Sequence, residues 1–146
     1  MMKALKIVGL VAVFAAGFLA RGVVPGEPLV HAQGGERVFE LRTYTTNPGM
    51  LATLNTRFRD HTMRLFEKHG MQNVGYWTPT DAPNSDNTLV YILSHKSREA
   101  AKQSWSAFGK DPEWQAVAKA SEANGRILAK APEAVFIQAT DYSPIK

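Results

Sequence analysis

His61 is the position in this chain whose setting most invites chemistry. It follows Leu54 by seven residues and Phe58 by three, and it precedes Leu65 by four, so helical spacing sets it inside an apolar stripe. A ring that titrates near neutral pH and points at a core or cavity has two uses. It is either a buried histidine satisfied by one hydrogen bond, or a group that touches a ligand and moves a proton. Arg42 and Tyr44 alternate with Glu40 on one face of an extended run, and Trp77 lies on a neighbouring run. If that face lines a cavity, an arginine for a carboxylate or enolate and aromatic walls for a planar molecule make a small-molecule site. The competing reading makes them dimer-interface or surface residues, with Glu40 and Arg42 paired to adjacent strands.

The other candidates read more plainly. His69 falls in the last turn of a helix before Gly70, where a partly protonated ring suits the helix dipole. His95 ends a strand and reads as a solvated terminus. No H-x-H, H-x-x-H or H-E-x-x-H spacing occurs, and His61 and His69 are separated by ~12 Å of helix rise, so no metal site is expected. Haem would need one axial histidine and an apolar pocket, which His61 and nearby aromatics could supply, but nothing requires it. The chain has no cysteine, which removes thiolate nucleophiles, disulfides and iron–sulfur clusters. It also lacks G-x-S-x-G and a glycine-rich phosphate loop.

The elements that must position these residues follow from periodicity. Val38 to Thr45 alternates Phe39, Leu41 and Thr43 with Glu40, Arg42 and Tyr44, a strand with one core face and one chemically mixed face. Asn47-Pro48-Gly49 opens a helix from Met50 to Lys68, ended by Gly70. On it Leu51, Leu54, Phe58 and Leu65 face the core, with Arg57, Asp60 and Arg64 opposite. Residues 74–78 and 88–95 are strands two and three, joined by a polar loop. Ser97 caps a helix reaching Phe108, and Asp111-Pro112-Glu113 starts another. Trp105 and Trp114 are core anchors for these helices. Residues 134–140 form a fourth strand.

The order β-α-β-β-α-α-β predicts an α+β, ferredoxin-like sandwich with helices on one face of an antiparallel sheet. Its other face needs a cover. A second copy supplies one, so a homodimer is expected from the fold itself.

The chain as a whole fits export. Lys3 and Lys6 precede an apolar run from Ile7 to Leu19, the charged and hydrophobic regions of a leader. That run is shorter than the ~20 residues of a membrane span. Val30-His31-Ala32 offers a cut before Gln33, giving a signal peptide over 1–32, a linker over 33–37 and one domain over 38–146. An uncleaved anchor is the alternative, and only then would the protein meet a membrane. The expected place is the periplasm or the exterior. Without Lys3, Lys6, Arg21 and Glu27, 14 basic residues face 12 acidic ones, and a balance of +2 gives no nucleic-acid footprint.

Four motifs in order carry a resemblance: Glu40-Leu41-Arg42-Thr43-Tyr44 followed by Pro48-Gly49; Gly75-Tyr76-Trp77; Trp105 with Phe108 and Asp111-Pro112-Glu113-Trp114; and Asp141-Tyr142-Ser143-Pro144. Together they resemble the NIPSNAP domain. The resemblance implies a dimeric α/β barrel of ferredoxin-like subunits, related in fold to antibiotic-biosynthesis monooxygenases and cofactor-independent haem-degrading enzymes. It implies no settled reaction. The expected function is binding of a small, partly planar or apolar molecule in a cavity between the sheet and helix one, lined by Arg42, Tyr44, His61 and Trp77, with cofactor-independent monooxygenase-like chemistry in reach. The alternative is a non-catalytic interaction or scaffolding module acting as a homodimer.

Overall fold

The computed structural model describes residues 37–146. The leader expected over 1–32, and linker residues 33–36, lie outside the described residues. Four strands, β1 (Val38–Thr45), β2 (Gln72–Trp77), β3 (Thr88–His95) and β4 (Glu133–Ile137), form one sheet in the order β2-β3-β1-β4. Every neighbouring pair is antiparallel. Helix α1 (Leu51–Arg57) runs through a π-helical turn, Phe58–Thr62, into α2 (Met63–Lys68); α3 (Arg98–Lys110) and α4 (Pro112–Ser121) follow β3. This is the ferredoxin-like α+β arrangement, and it is the subunit fold of dimeric α/β barrels.

Local chemistry sets the boundaries. Ser97 Oγ accepts a hydrogen bond from the Ala100 backbone N–H, and Asp111 caps α4 through the Glu113 N–H at 2.8 Å, with Pro112 in the first turn. After α2 the chain reverses at Gly70, whose φ of +76° lies in the left-handed region, and Met71 N–H then bonds to the Phe66 carbonyl. Strand β4 stops at Ile137, short of the expected Thr140. Ile137 pairs with Phe39, one residue from the start of β1, so the following residues have little strand left to pair with.

Two expectations about facing are corrected. The mixed face of β1, not the Phe39–Leu41–Thr43 face, lies under the helices. The register puts Glu40, Arg42 and Tyr44 opposite Leu93, Tyr91 and Leu89, and Tyr44, Leu89, Tyr91 and Leu93 belong to the core with Leu54, Phe58, Leu65, Phe66, Met71, Phe108 and Ile127. Alternation separates two faces without saying which one the helices cover. The helix-free face then carries Phe39, Leu41, Ile92, Val135, Ile137 and Trp77. Phe39 is buried there, beside a shallow depression that it shares with Ala139, Thr140 and Ile145.

The second correction lies in the long helix. The π turn inserts an extra residue, and since each helical residue rotates the chain by ~100°, the later half is rephased. Thr62, not His61, occupies the inward position between Phe58 and Leu65. Thr62 is buried, and its hydroxyl donates to the Arg57 carbonyl at 3.2 Å, five residues back. His61 is consequently exposed. Arg57, expected on the solvent side, is buried beside Leu54 and Phe58.

Candidate functional site

Between the sheet and the helices the centre of polar organisation is Glu40, on β1 and only 3% exposed. Three donors converge on its carboxylate. Arg42, two residues along the same strand face, donates from Nη1 to Oε1 at 2.6 Å. His95 Nε2 reaches Oε2 at 3.0 Å from the end of β3, and Trp105 Nε1 reaches the same oxygen at 2.7 Å from α3. Burial alone would raise the Glu40 pKa, but the His95 and Trp105 hydrogen bonds and the Arg42 charge outweigh it and hold the carboxyl below its ordinary value. An ionised Glu40 only accepts, so His95 carries its bonding proton on Nε2. His95 Nδ1 is buried without a partner.

Arg42 lies flat against the site's aromatic wall. Its guanidinium carbon stands 4.2 Å from the Trp105 ring centroid and 5.7 Å from that of Tyr44, within cation–π range. Burial opposes its charge, yet Tyr91, Tyr44 and Glu40 together raise its pKa. Its cross-strand neighbour Tyr91 is fully buried, and burial followed by the nearby Tyr44 pushes that phenol well above its usual range. Both Arg42 Nε and Tyr91 Oη are buried without a partner.

Of the four residues expected to share a cavity, the structure brings Arg42 and Tyr44 together. His61 faces outward from the π turn. Trp77 is on the opposite side of the sheet, because its neighbour Tyr76 points at the core, stacked on Tyr91 at 5.3 Å. Trp77 is 52% exposed, and its ring bends back over Gly75, where a Cβ would come within 2.5 Å of it. Trp105 and Trp114 pack against Phe108 with ring centroids at 5.7 and 4.4 Å, and Trp105 also bonds Glu40.

His95 is the largest miss. It is buried, not solvated, because strand β3 continues to its last residue opposite Val38 of β1. The sequence held the signal: Leu89, Tyr91, Leu93 and His95 alternate, so a helix-facing Tyr91 implies a helix-facing His95. His69 does stand at the α2 C-terminus, but its Nε2 bonds Asp111 at 2.7 Å, so it ties α2 to the α4 cap as well. Among the described residues no group of three or more His, Asp and Glu converges as a metal set. His61, the histidine weighed for haem, stands at the surface on the π turn.

A β2-β3-β1-β4 sheet with helices on one face, and a buried polar cluster between the two, defines a ferredoxin-like subunit of the dimeric α/β-barrel class. The NIPSNAP family profile matches residues 39–144, and the chain belongs to the NIPSNAP family. Among curated proteins none matches it. A NIPSNAP family protein of unknown function from Agrobacterium tumefaciens superposes with a TM-score of 0.64 at 19% identity, over 76% of this chain and 95% of that one. An uncharacterised NIPSNAP-like domain protein from Burkholderia xenovorans gives 0.64 at 16% identity, over 75% and 90%. SnoaB, a cofactor-independent oxygenase from Streptomyces nogalater, is similar at a TM-score of 0.51 and 17% identity, over 75% and 98%. At these identities the likeness is one of fold.

Proposed function

We propose that the domain binds a small, partly planar molecule between its sheet and helices, over Arg42, Tyr44, Tyr91 and Trp105. One observation carries this reading. Arg42 Nε, on the residue paired across the strands with Tyr91, is a buried donor that meets no acceptor from the protein. A buried donor without a partner is costly, and a ligand carbonyl, carboxylate or enolate beside an aromatic wall would supply what is missing. The fold shared with SnoaB supports a finer version, oxygenation without a cofactor. Such a reaction would need a base for the bound molecule, and His95 backed by Glu40 is the pair this site offers.

The test is a screen of planar carboxylates and quinones by two-dimensional NMR. Ligands should shift the Trp105 indole and the Arg42 and Tyr91 amides, and Arg42→Met should abolish the shifts. Binders that move only residues of the helix-free face would overturn the reading.

A second reading has its own support. Trp77, Val135 at 58% exposure and Ile137 present apolar surface on the helix-free face, which favours association with a second copy. The leader-like residues 1–32 support action outside the cytoplasm in either case.

A further inference from the structure

A separate feature lies between the helices. α1 with its π turn and α4 enclose an open groove of about 440 Å³, near the lower end of the ~300–1,000 Å³ range of small-molecule sites. Ala116, Val117 and Ala120 of α4 form one wall, Thr53 and Thr56 of α1 the other, and His61 stands at the rim. The groove also meets Arg57, which is 6% exposed.

Arg57 is a buried charge without an ion-pair partner among the described residues. Its Nη1 donates to Ser121 Oγ at 3.2 Å, its Nε is buried without a partner, and it forms no ion pair among the described residues. The face of Trp114, 5.2 Å away, backs the guanidinium but accepts no hydrogen bond in its plane. Burial pulls the pKa of Arg57 down, and Tyr44, Glu122 and Tyr91 only partly restore it. A guanidinium has five donors in a planar fork, and here one is used. An unpaired buried cation is expensive unless something anionic reaches it. A carboxylate matches that fork with two parallel bonds.

We propose that this groove binds a small carboxylate with an apolar body. The headgroup sits on Arg57 beside Ser121, and the body lies along Ala116, Val117 and Ala120. The site is distinct from Arg42 and Trp105, and the proposal stands whether or not that cluster binds a ligand.

Octanoate and 1-octanol are suitable probes, titrated into the full-length protein and followed by two-dimensional NMR. Octanoate should shift the amides of Ala116, Val117 and Ala120 and the Arg57 side-chain signal, and it should bind at least tenfold more tightly than 1-octanol. Equal affinity for the two, or octanoate shifts confined to the Arg42 and Trp105 region, would overturn the proposal. That comparison needs no variant. Arg57→Gln should erase the preference for the carboxylate. Ala120→Trp, an exposed helical position that leaves Arg57 in place, should block octanoate by filling the groove, and undiminished binding to it would also overturn the proposal.

Discussion

Glu40 and Trp105, 65 residues apart, are joined by a 2.7 Å hydrogen bond that ties the central strand β1 to helix α3. The same carboxylate neutralises Arg42 and holds His95, so one residue satisfies three donors from three elements. Glu40→Gln keeps the shape but removes the charge, leaving Arg42 buried without its counter-ion and replacing one of the two acceptor oxygens by an NH2 that faces a former donor. Breaking a buried pair from one side costs about 3–5 kcal/mol. The variant should lose roughly 3 kcal/mol in urea unfolding, the lower end because Arg42 keeps its stacking on Trp105. A loss below about 1 kcal/mol would mean the three bonds do not act together.

The π turn makes a contrast between two residues four apart. His61 is exposed, so His61→Leu should change stability by no more than about 0.5 kcal/mol. Leu65 is fully buried, and Leu65→Ala should cost about 2–5 kcal/mol. Thermal melts of both variants check the phase of the helix directly. A large loss from His61→Leu would return that ring to the inward stripe.

That contrast also marks where the sequence was legible. Strand and helix order, the Ser97 and Asp111 caps and the Gly70 reversal followed from local chemistry that the fold did not override. Helical spacing misplaces His61 because it assumes an unbroken period, and one wide turn from Phe58 to Thr62 moves the inward position within it from His61 to Thr62, while Leu65 stays buried. No residue type announces such a turn. Alternation alone marks Phe39, Leu41 and Thr43 as the core face of β1 for a different reason: the charges of Glu40 and Arg42 read as a mixed face until a partner on another element is known. Their partners His95 and Trp105 lie more than 50 residues away, a distance at which register, not pattern, decides contact.

Asp111 joins the helices through charge. It caps α4, and its carboxylate also accepts from Lys68 Nζ at 2.8 Å and His69 Nε2 at 2.7 Å. Lys68, then His69, hold its pKa well below the ordinary value of 3.8. A carboxyl depressed by folding adds stability that is fully present above the unfolded value and is lost as pH falls through the folded one. Asp111→Asn should therefore destabilise the domain at neutral pH and flatten the fall in melting temperature below about pH 4. An unchanged acid limb in the variant would show that Asp111 does not contribute to it. Raised salt should weaken the Lys68 contribution, since that side chain is half-exposed.

The helix-free face makes the last prediction. Val135 and Ile137 are two residues apart on edge strand β4, so they point to the same side, and Trp77 shares that side from the opposite edge. All three are exposed in the single chain. Exposed apolar side chains at both edges of a sheet face gain by being covered, at about 25 cal/mol per Å² removed from water. A two-fold copy would cover them with an identical face. Sedimentation of the protein should report twice the monomer mass at micromolar concentration. Val135→Asp with Ile137→Asp places two carboxylates per chain in that contact, where they would face their own copies, and the double variant should sediment as a folded monomer. Circular dichroism must remain that of the parent, because both positions lie outside the helix-packed core. A parent that sediments as a monomer, or a double variant that stays dimeric, would place the subunit contact on another face.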